Sequence, residues 1–207
     1  MSNPEIKVVA FDPSMTNFGV CLASVDVMTL KPRIEGLELF KTDSDVSKGV
    51  KKNSDDLRRA QEQFKNMVRM CEGRAVAIAE IPMQVTPHRG MLPSVAASAS
   101  YSAGIMIGVL SACNIPLIQV FPQDVKMSVI GRRNAAKEEM IEWAMERYPD
   151  APWRMRKVKR KDGSGYNLVP MADNEHLADA VAILETGLMT PDFKQMVAAF
   201  HAFKAAA

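Results

Sequence analysis

Short apolar runs alternate with polar segments along the chain and predict strands and helices in a regular order. Apolar or alternating runs predict five strands, near residues 6–12, 18–25, 33–41, 75–80 and 117–120. Apolar positions at helical spacing predict five helices, over residues 54–72, 94–113, 135–148, 173–188 and 192–205. Three strands come before the first helix, so the sheet is expected to begin antiparallel and to continue through helical crossovers. The pattern predicts an α/β domain in which a five-stranded mixed sheet is flanked by helices.

The first predicted helix has recognisable ends and one apolar stripe. Ser54 is a suitable N-cap, because its hydroxyl can accept a hydrogen bond from an amide of the first turn, and Gly73 is a typical stop. The apolar residues at helical spacing, which are expected to face the sheet, are Leu57, Phe64, Met67, Val68, Met70 and Cys71.

Composition indicates one globular domain spanning residues 1–207. The hydrophobic share of 47% and the charged share of 24% are ordinary for a soluble protein, and the length allows a substantial core. Three widely spaced cysteines without a CxxC pair indicate free thiols in a reducing compartment. The N-terminus lacks the pattern of a signal peptide, and no apolar stretch is long enough to span a bilayer. We therefore expect a cytoplasmic protein with no membrane partner.

A basic segment precedes the helix predicted at 173–188. The net charge of +2 says nothing about nucleic acid, but six of eight consecutive residues are basic: Arg154, Arg156, Lys157, Lys159, Arg160 and Lys161. The segment 154–169 has the pattern of a β-hairpin that turns at Asp162-Gly163. A phosphate-binding arm and a solvated loop are both consistent with this charge.

Four residues that are far apart in the sequence are candidates for a common site. Asp12 and Glu80 each end an apolar run that is predicted to be a strand. His176 and Asp179 are three residues apart in a predicted helix and therefore share one helix face. Taken singly, Asp12 could be a turn residue and His176 an ordinary helix histidine. Together they form an oxygen-rich set that suits Mg²⁺ and favours a metal-dependent phosphodiesterase.

Five blocks of the sequence resemble the RuvC family of Holliday junction resolvases (crossover junction endodeoxyribonucleases), and its divergent phage-like members most of all. The opening block is Ala10-Phe11-Asp12-Pro13-Ser14-Met15-Thr16-Asn17-Phe18-Gly19-Val20, and the others lie at 79–82, 122–126, 131–140 and 176–183. The blocks occur in the family's order and cover most of residues 6–186. The resemblance implies a ribonuclease H-like fold, and a phage-encoded member would act in the host cytoplasm.

The resemblance also implies a metal site. It makes Asp12 the aspartate that bridges two Mg²⁺ ions, for which Mn²⁺ may substitute in the family. Glu80 matches the acid of the fourth strand, and Asp179 matches the last acid, on the C-terminal helix. His176 occupies a position where relatives have Asp or His. The implied catalytic set is completed by Lys126, which approaches the scissile phosphate.

Further residues are implied to contact DNA. Lys126 and Lys137 match lysines that lie near the scissile region and the DNA backbone. Met83 stands where relatives place an aromatic side chain that enters the centre of the junction, and a methionine cannot stack as a ring does. Ser14 stands where the family often has Gly. The basic segment 154–169 is identified as an insertion relative to compact members.

The function implied is a homodimeric endonuclease that resolves four-way DNA junctions by two-metal hydrolysis with paired symmetric nicks. Small residues in the helix at 94–113 would suit a dimer seam or tight internal packing. A less selective ribonuclease H-like nuclease acting on flaps, forks or other branched DNA would use the same acids. A junction-binding protein without catalysis is a further alternative. A sugar kinase or actin-like ATPase is disfavoured, because 207 residues with 11 glycines leave little room for two lobes and a nucleotide site.

Overall fold

Five strands form one mixed sheet in the order β3-β2-β1-β4-β5. The computed structural model describes residues 3–45, 47, 49–81, 93–162 and 164–206, apart from the side chains of residues 93–96 and 202–206. The strands are β1 (Glu5–Asp12), β2 (Asn17–Asp26), β3 (Pro32–Lys41), β4 (Val76–Glu80) and β5 (Leu117–Val120). The pairs β1–β2 and β2–β3 are antiparallel, whereas β1–β4 and β4–β5 are parallel. The predicted five-stranded mixed sheet is confirmed.

Helices cover both faces of this sheet, as predicted. They are α1 (Lys52–Cys71), α2 (Pro93–Ala112), α3 (Pro122–Ile130), α4 (Lys137–Arg147), α5 (Asn174–Leu188) and α6 (Pro191–Ala206). Helix α3 was not among the predicted helices, although its ends carry ordinary signals. Pro122 occupies its first turn, and Gly131 ends it with a left-handed φ of 81° that favours glycine. None of the described helices combines the length and the apolarity that crossing a membrane requires.

The strands are apolar on both faces because each face packs against helices. On one face, Val8, Ala10 and Ile78 join a core that includes most of α5. On the other face, Val9 and Phe11 pack with side chains of α1 and α2. Neighbouring residues of β1 thus alternate between the two cores, as the strand geometry requires.

Helix α1 differs from the sequence interpretation in two respects. It begins at Lys52, so Ser54 lies inside the first turn and the predicted N-cap is wrong. Leu57 and Phe64 are 60% and 47% exposed, so they do not belong to the buried stripe. Between them, the buried face carries Arg59 and Gln63, because these polar side chains have hydrogen-bond partners on a loop of the sheet.

The predicted hairpin is present as a separate two-stranded sheet of β6 (Met155–Lys159) and β7 (Tyr166–Pro170). The ladder pairs Met155 with Pro170 at its base and Lys159 with Tyr166 at its far end. Gly163 of the predicted turn lies outside the described residues. The hairpin leads directly into α5, the helix that carries His176 and Asp179.

Candidate active site

Asp12 and Glu80 lie side by side at one edge of the sheet. Phe11 pairs with Ala79 in the parallel β1–β4 ladder, so the next residues, Asp12 and Glu80, end neighbouring strands. Carboxyl ends of parallel strands meet at the same edge, which is why two acids 68 positions apart become neighbours. Glu80 is half-buried, and Asp12 keeps 20% of its side-chain surface exposed.

Helix α5 brings His176 and Asp179 to the same edge. Its first turn lies directly against β2 at Gly19, which is the ladder partner of Asp12. A Cβ atom on Gly19 would be only 2.2 Å from the carbonyl oxygen of His176, so this close approach requires glycine. Asp179 follows one turn later on the same side of the helix.

A hydrogen bond joins the sheet to the helix within the site. His176 Nδ1 lies 3.0 Å from Asp12 Oδ2, with the histidine side chain 23% exposed. This hydrogen bond, opposed by partial burial, raises the pKa of His176 above the usual 6.5. The Asp12 carboxylate therefore stabilises the charged form of the imidazole.

The other two acids are held in an environment that disfavours their charge. Burial, together with the negative charges of Asp12 and Asp179, raises the pKa of Glu80 to about 7. Burial, together with the charges of Asp12 and Glu175, raises the pKa of Asp179 to about 7. Such shifts occur where like charges share a poorly solvated space, which is typical of a functional site.

Lys126 partly offsets this accumulation of negative charge. Its ammonium lowers the pKa of both Glu80 and Asp179, so it lies within electrostatic range of each. The side chain reaches the site from α3, and Nζ donates a hydrogen bond to the carbonyl oxygen of Ala135 at 3.2 Å. The fold thus brings the five predicted catalytic residues close enough for their charges to influence one another.

The donor set fits a hard divalent cation. Asp12, Glu80 and Asp179 lie within electrostatic range of one another in a space where their combined charge is unfavourable, and a cation would relieve that repulsion. Among the residues that the structure describes, no group of three or more His, Cys, Asp or Glu side chains is already arranged as a metal site. Bringing the carboxylates together without a cation would increase their repulsion.

Two polar residues of α1, which the sequence analysis missed, hold the loop that follows Asp12. Arg59 is buried and donates to Thr42 Oγ1 at 3.0 Å and to Thr16 Oγ1 at 2.9 Å. Gln63 Nε2 donates to the carbonyl oxygen of Met15 at 3.4 Å. The sequence did carry a signal for their burial: Arg59, Gln63 and Met67 are spaced four residues apart, which puts all three on one helix face.

A second missed group anchors the hairpin to α5. Asn174 is fully buried; its Oδ1 accepts a hydrogen bond from the Arg154 amide at 2.9 Å, and its Nδ2 donates to the Arg154 carbonyl at 2.8 Å. Asp173 forms ion pairs with Arg154 at 2.9 Å and with Lys41 of β3 at 2.8 Å. The base of the hairpin is therefore fixed two residues before His176.

The predicted DNA-contacting residues have different surroundings. Lys137 pairs with Glu175 Oε1 at 2.6 Å beside the site, and the guanidinium of Arg154 is paired with Asp173 as described above. The remaining basic residues of the segment are exposed: Arg156, Lys157, Lys159, Arg160 and Lys161. Met83 lies outside the described residues.

The contact between Gly19 and His176 gives a direct test of the site geometry. In a Gly19→Ala variant, the new methyl group displaces the first turn of α5 and weakens the His176–Asp12 hydrogen bond. The pKa of His176, followed by NMR titration, should fall toward 6.5, and the free energy of unfolding should drop by about 1–3 kcal/mol.

Gly36→Ala in β3 is the matched control, because its Cβ would make an ordinary 3.5 Å contact with Leu22. This variant should leave the His176 titration unchanged. An unaltered His176 pKa in Gly19→Ala would contradict the assigned contact.

The raised pKa values of Glu80 and Asp179 predict a pH-dependent stability of the metal-free protein. Both groups, with pKa about 7 in the folded state, bind protons that the unfolded chain has already released above its ordinary values of 4.5 and 3.8. Stability should therefore fall as the pH rises from about 5 to about 8, and His176, whose pKa is also raised, adds to the same trend. We expect a loss on the order of 1–2 kcal/mol per acid.

Urea unfolding in EDTA at several pH values measures this trend. Glu80→Gln should flatten the decline and stabilise the protein at pH 8, because it removes a buried charge. Glu38→Gln, at an exposed position of β3, should not change the slope. A profile that rises with pH in the wild-type protein would exclude this electrostatic arrangement.

Comparisons with known proteins support the fold. No protein-family model and no curated protein matches the sequence. Among solved structures, Thermus thermophilus RuvC superposes with a TM-score of 0.56 and 20% identity, covering 87% of this chain and 92% of that chain. T. thermophilus RuvC in complex with Holliday junction substrate gives a TM-score of 0.57 at the same identity and coverage.

A eukaryotic protein has a comparable structural similarity to this chain. The yeast mitochondrial Holliday junction resolvase Ydc2 superposes with a TM-score of 0.55 and 16% identity, covering 98% of this chain and 85% of that chain. At such low identity the likeness establishes architecture, and it agrees with the strand order and flanking helices described above. The chain therefore has the ribonuclease H-like fold shared by the RuvC and Ydc2 resolvases, as its sequence motifs predict.

Proposed function

We propose that this protein is a metal-dependent DNA endonuclease that resolves four-way junctions. The observation that carries the proposal is the meeting of three carboxylates from β1, β4 and α5, two with a pKa of about 7, beside Lys126. This cluster lies at the edge of a sheet whose fold is shared with two structurally known resolvases. A group of acids with perturbed pKa values is the electrostatic signature of a catalytic site.

Asp12, Glu80, His176 and Asp179 are the residues that would hold two Mg²⁺ ions. Asp12 is central, because its charge raises the pKa of both other acids and it hydrogen-bonds His176. When bound, the metal ions supply an activated water for in-line attack on the phosphodiester and stabilise the leaving oxygen. Release of His176 Nδ1 from Asp12 would free both atoms as ligands or allow the ring to orient that water.

Lys126 would balance the negative charge that develops on the phosphate. Its position between the buried acids and the carbonyl of Ala135 keeps a positive charge at the site without an ion-pair partner among the described residues. Lys137, paired with Glu175 at the rim, would exchange that carboxylate for a backbone phosphate.

The substrate is DNA with branches, contacted by the basic hairpin. T. thermophilus RuvC has been solved with Holliday junction substrate, and this chain shares its fold. The exposed basic residues of 154–169 extend from the helix that carries His176, so phosphates bound there would lie next to the site. Met83, if it enters the junction centre, would do so as an apolar wedge.

A homodimer would place two such sites on one junction and account for paired symmetric nicks. Helices α1 and α2 pack together and expose apolar side chains that include Leu57, Phe64 and Ile107. A cavity of about 500 Å³ between them is lined by Phe64 and Ile105, among others. Gly104 and Gly108 of α2 face open space, which leaves room for a close helix approach. We assign the dimer interface to this α1–α2 face.

Cleavage of a synthetic four-way junction in Mg²⁺ tests the function. The wild-type protein should introduce symmetric nicks, and Asp12→Asn should reduce the rate by about a hundredfold or more, because the central carboxylate is lost. Linear duplex, flap, fork and single-strand substrates are tested in the same assay. Equal cutting of flaps and forks would retain the nuclease site and replace junction resolution with a less selective activity.

Asp150→Asn, an exposed aspartate away from the site, is the matched control and should cleave normally. Mg²⁺ should also raise the thermal midpoint of the wild-type protein at pH 8 but not that of Asp12→Asn, which reports metal binding without turnover. Tight junction binding with neither cleavage nor Mg²⁺ stabilisation would make the protein a binding module.

The dimer interface is tested by charge reversal of its apolar residues. Phe64→Glu should convert the dimer to a monomer in sedimentation velocity, because burying an unpaired carboxylate is costly. Met28→Glu changes another exposed apolar residue, in the β2–β3 turn, and should leave the dimer intact. A Phe64→Glu protein that still sediments as a dimer would exclude the α1–α2 face.

A further inference from the structure

The two faces of the β6–β7 hairpin have different chemistry. Paired residues of an antiparallel ladder lie on the same face, and residues two apart along a strand share it. The ladder pairs Lys157 with Leu168 and Lys159 with Tyr166. One face, here called the lysine face, is formed by Met155, Lys157, Lys159, Tyr166, Leu168 and Pro170. Arg156 and Val158 belong to the opposite face.

Two apolar side chains of the lysine face are unusually exposed. Tyr166 and Leu168 are each 62% exposed, in an arrangement that keeps each of them directly across the ladder from a lysine. Packing against the body of the protein does not explain either side chain. A flat ribbon face that alternates lysines with an aromatic and an aliphatic residue is the composition that binds unstacked nucleic acid strands.

The opposite face looks toward acidic residues. Arg156 lines a cavity of about 720 Å³ between the hairpin base, α4 and the start of α5. Four glutamates line the same cavity: Glu138, Glu142, Glu146 and Glu175. Four glutamates outnumber Lys137 and Arg156 in this cavity, so it is less favourable for a phosphate backbone than the lysine face.

We propose that the lysine face grips a DNA strand beside the branch point, with Tyr166 stacked on an unpaired base. This inference rests on the proposed function, which supplies a branched substrate with bases that can leave the duplex stack. Lys157 and Lys159 hold the flanking phosphates, and Leu168 packs against the sugar or the edge of the base.

The base of the hairpin connects the lysine face to the catalytic residues. Asn174 holds the Arg154 backbone through two hydrogen bonds, and Asp173 pairs with the Arg154 side chain. Both anchoring residues immediately precede Glu175 and His176. A strand held on the lysine face is therefore positioned relative to the site by a short, buried connection.

Equilibrium binding to a four-way junction, measured in the Asp12→Asn background, tests the inference without cleavage. Tyr166→Ala should weaken binding about tenfold, since stacking of one base contributes on this scale, while Tyr166→Phe should bind normally. The slope of log affinity against log salt should not change in Tyr166→Ala, because no cation is lost. Lys157→Ala and Lys159→Ala should each reduce that slope by about one.

Two controls make the assignment specific. Val158→Ala on the opposite face should bind like the parent protein. Replacing the nucleotides around the branch point one at a time with abasic sites should abolish the Tyr166→Ala penalty at one position, which identifies the stacked base. An identical penalty on every abasic junction, or none on the intact junction, would overturn the proposal.

The outcomes separate this inference from the proposed function. Normal junction cleavage together with full affinity of Tyr166→Ala would retain the nuclease and reject the lysine face. Tyr166-dependent binding without any Mg²⁺-dependent cleavage by the wild-type protein would retain the lysine face and reject the nuclease. Absence of DNA binding by the parent protein would overturn both.

Discussion

The close approach of α5 to the sheet is the constraint on which the candidate site depends. The helix contacts all five strands, and its buried residues include Ala178 and Ala182, whose small side chains permit a close approach. At Gly187, a Cβ atom would be 2.3 Å from the Ile78 side chain, and Gly19 allows an equally close contact at the other end. Larger residues would lift the helix and separate His176 and Asp179 from Asp12 and Glu80.

This packing places carboxylates where they repel one another. Such repulsion lowers stability, so a functional role explains the arrangement better than a structural one. Three carboxylates compressed at one sheet edge destabilise the metal-free fold at neutral pH, and Lys126 offsets only part of their repulsion. The hydrophobic contacts of α5 must outweigh that cost. Concentrating negative charge in a partly solvated recess is a poor way to stabilise a domain, but it is what the proposed metal site would require.

Sequence patterns predicted the sheet, because apolar runs bounded by Pro, Gly and acidic residues depend on local chemistry. They also predicted which acids end strands, and the topology explains why Asp12 and Glu80 then meet. Partnerships made across the fold were not predictable in this way. Leu57 and Phe64 were predicted to be core, and the buried Arg59 and Gln63 were not identified, because the partners that decide burial lie on segments distant in sequence.

The hairpin anchor extends the same argument from geometry to substrate handling. Buried polar residues are usually fully hydrogen-bonded, and Asn174 satisfies this rule by fixing the Arg154 backbone rather than by capping its own helix. Asp173 connects the same arginine to Lys41 of β3, so sheet, hairpin and α5 meet three residues before His176. If the proposed function holds, DNA bound to a basic arm tied at this point would be held at a fixed position relative to the acids. The location of the anchor therefore favours a positioning role for the hairpin over a merely electrostatic one.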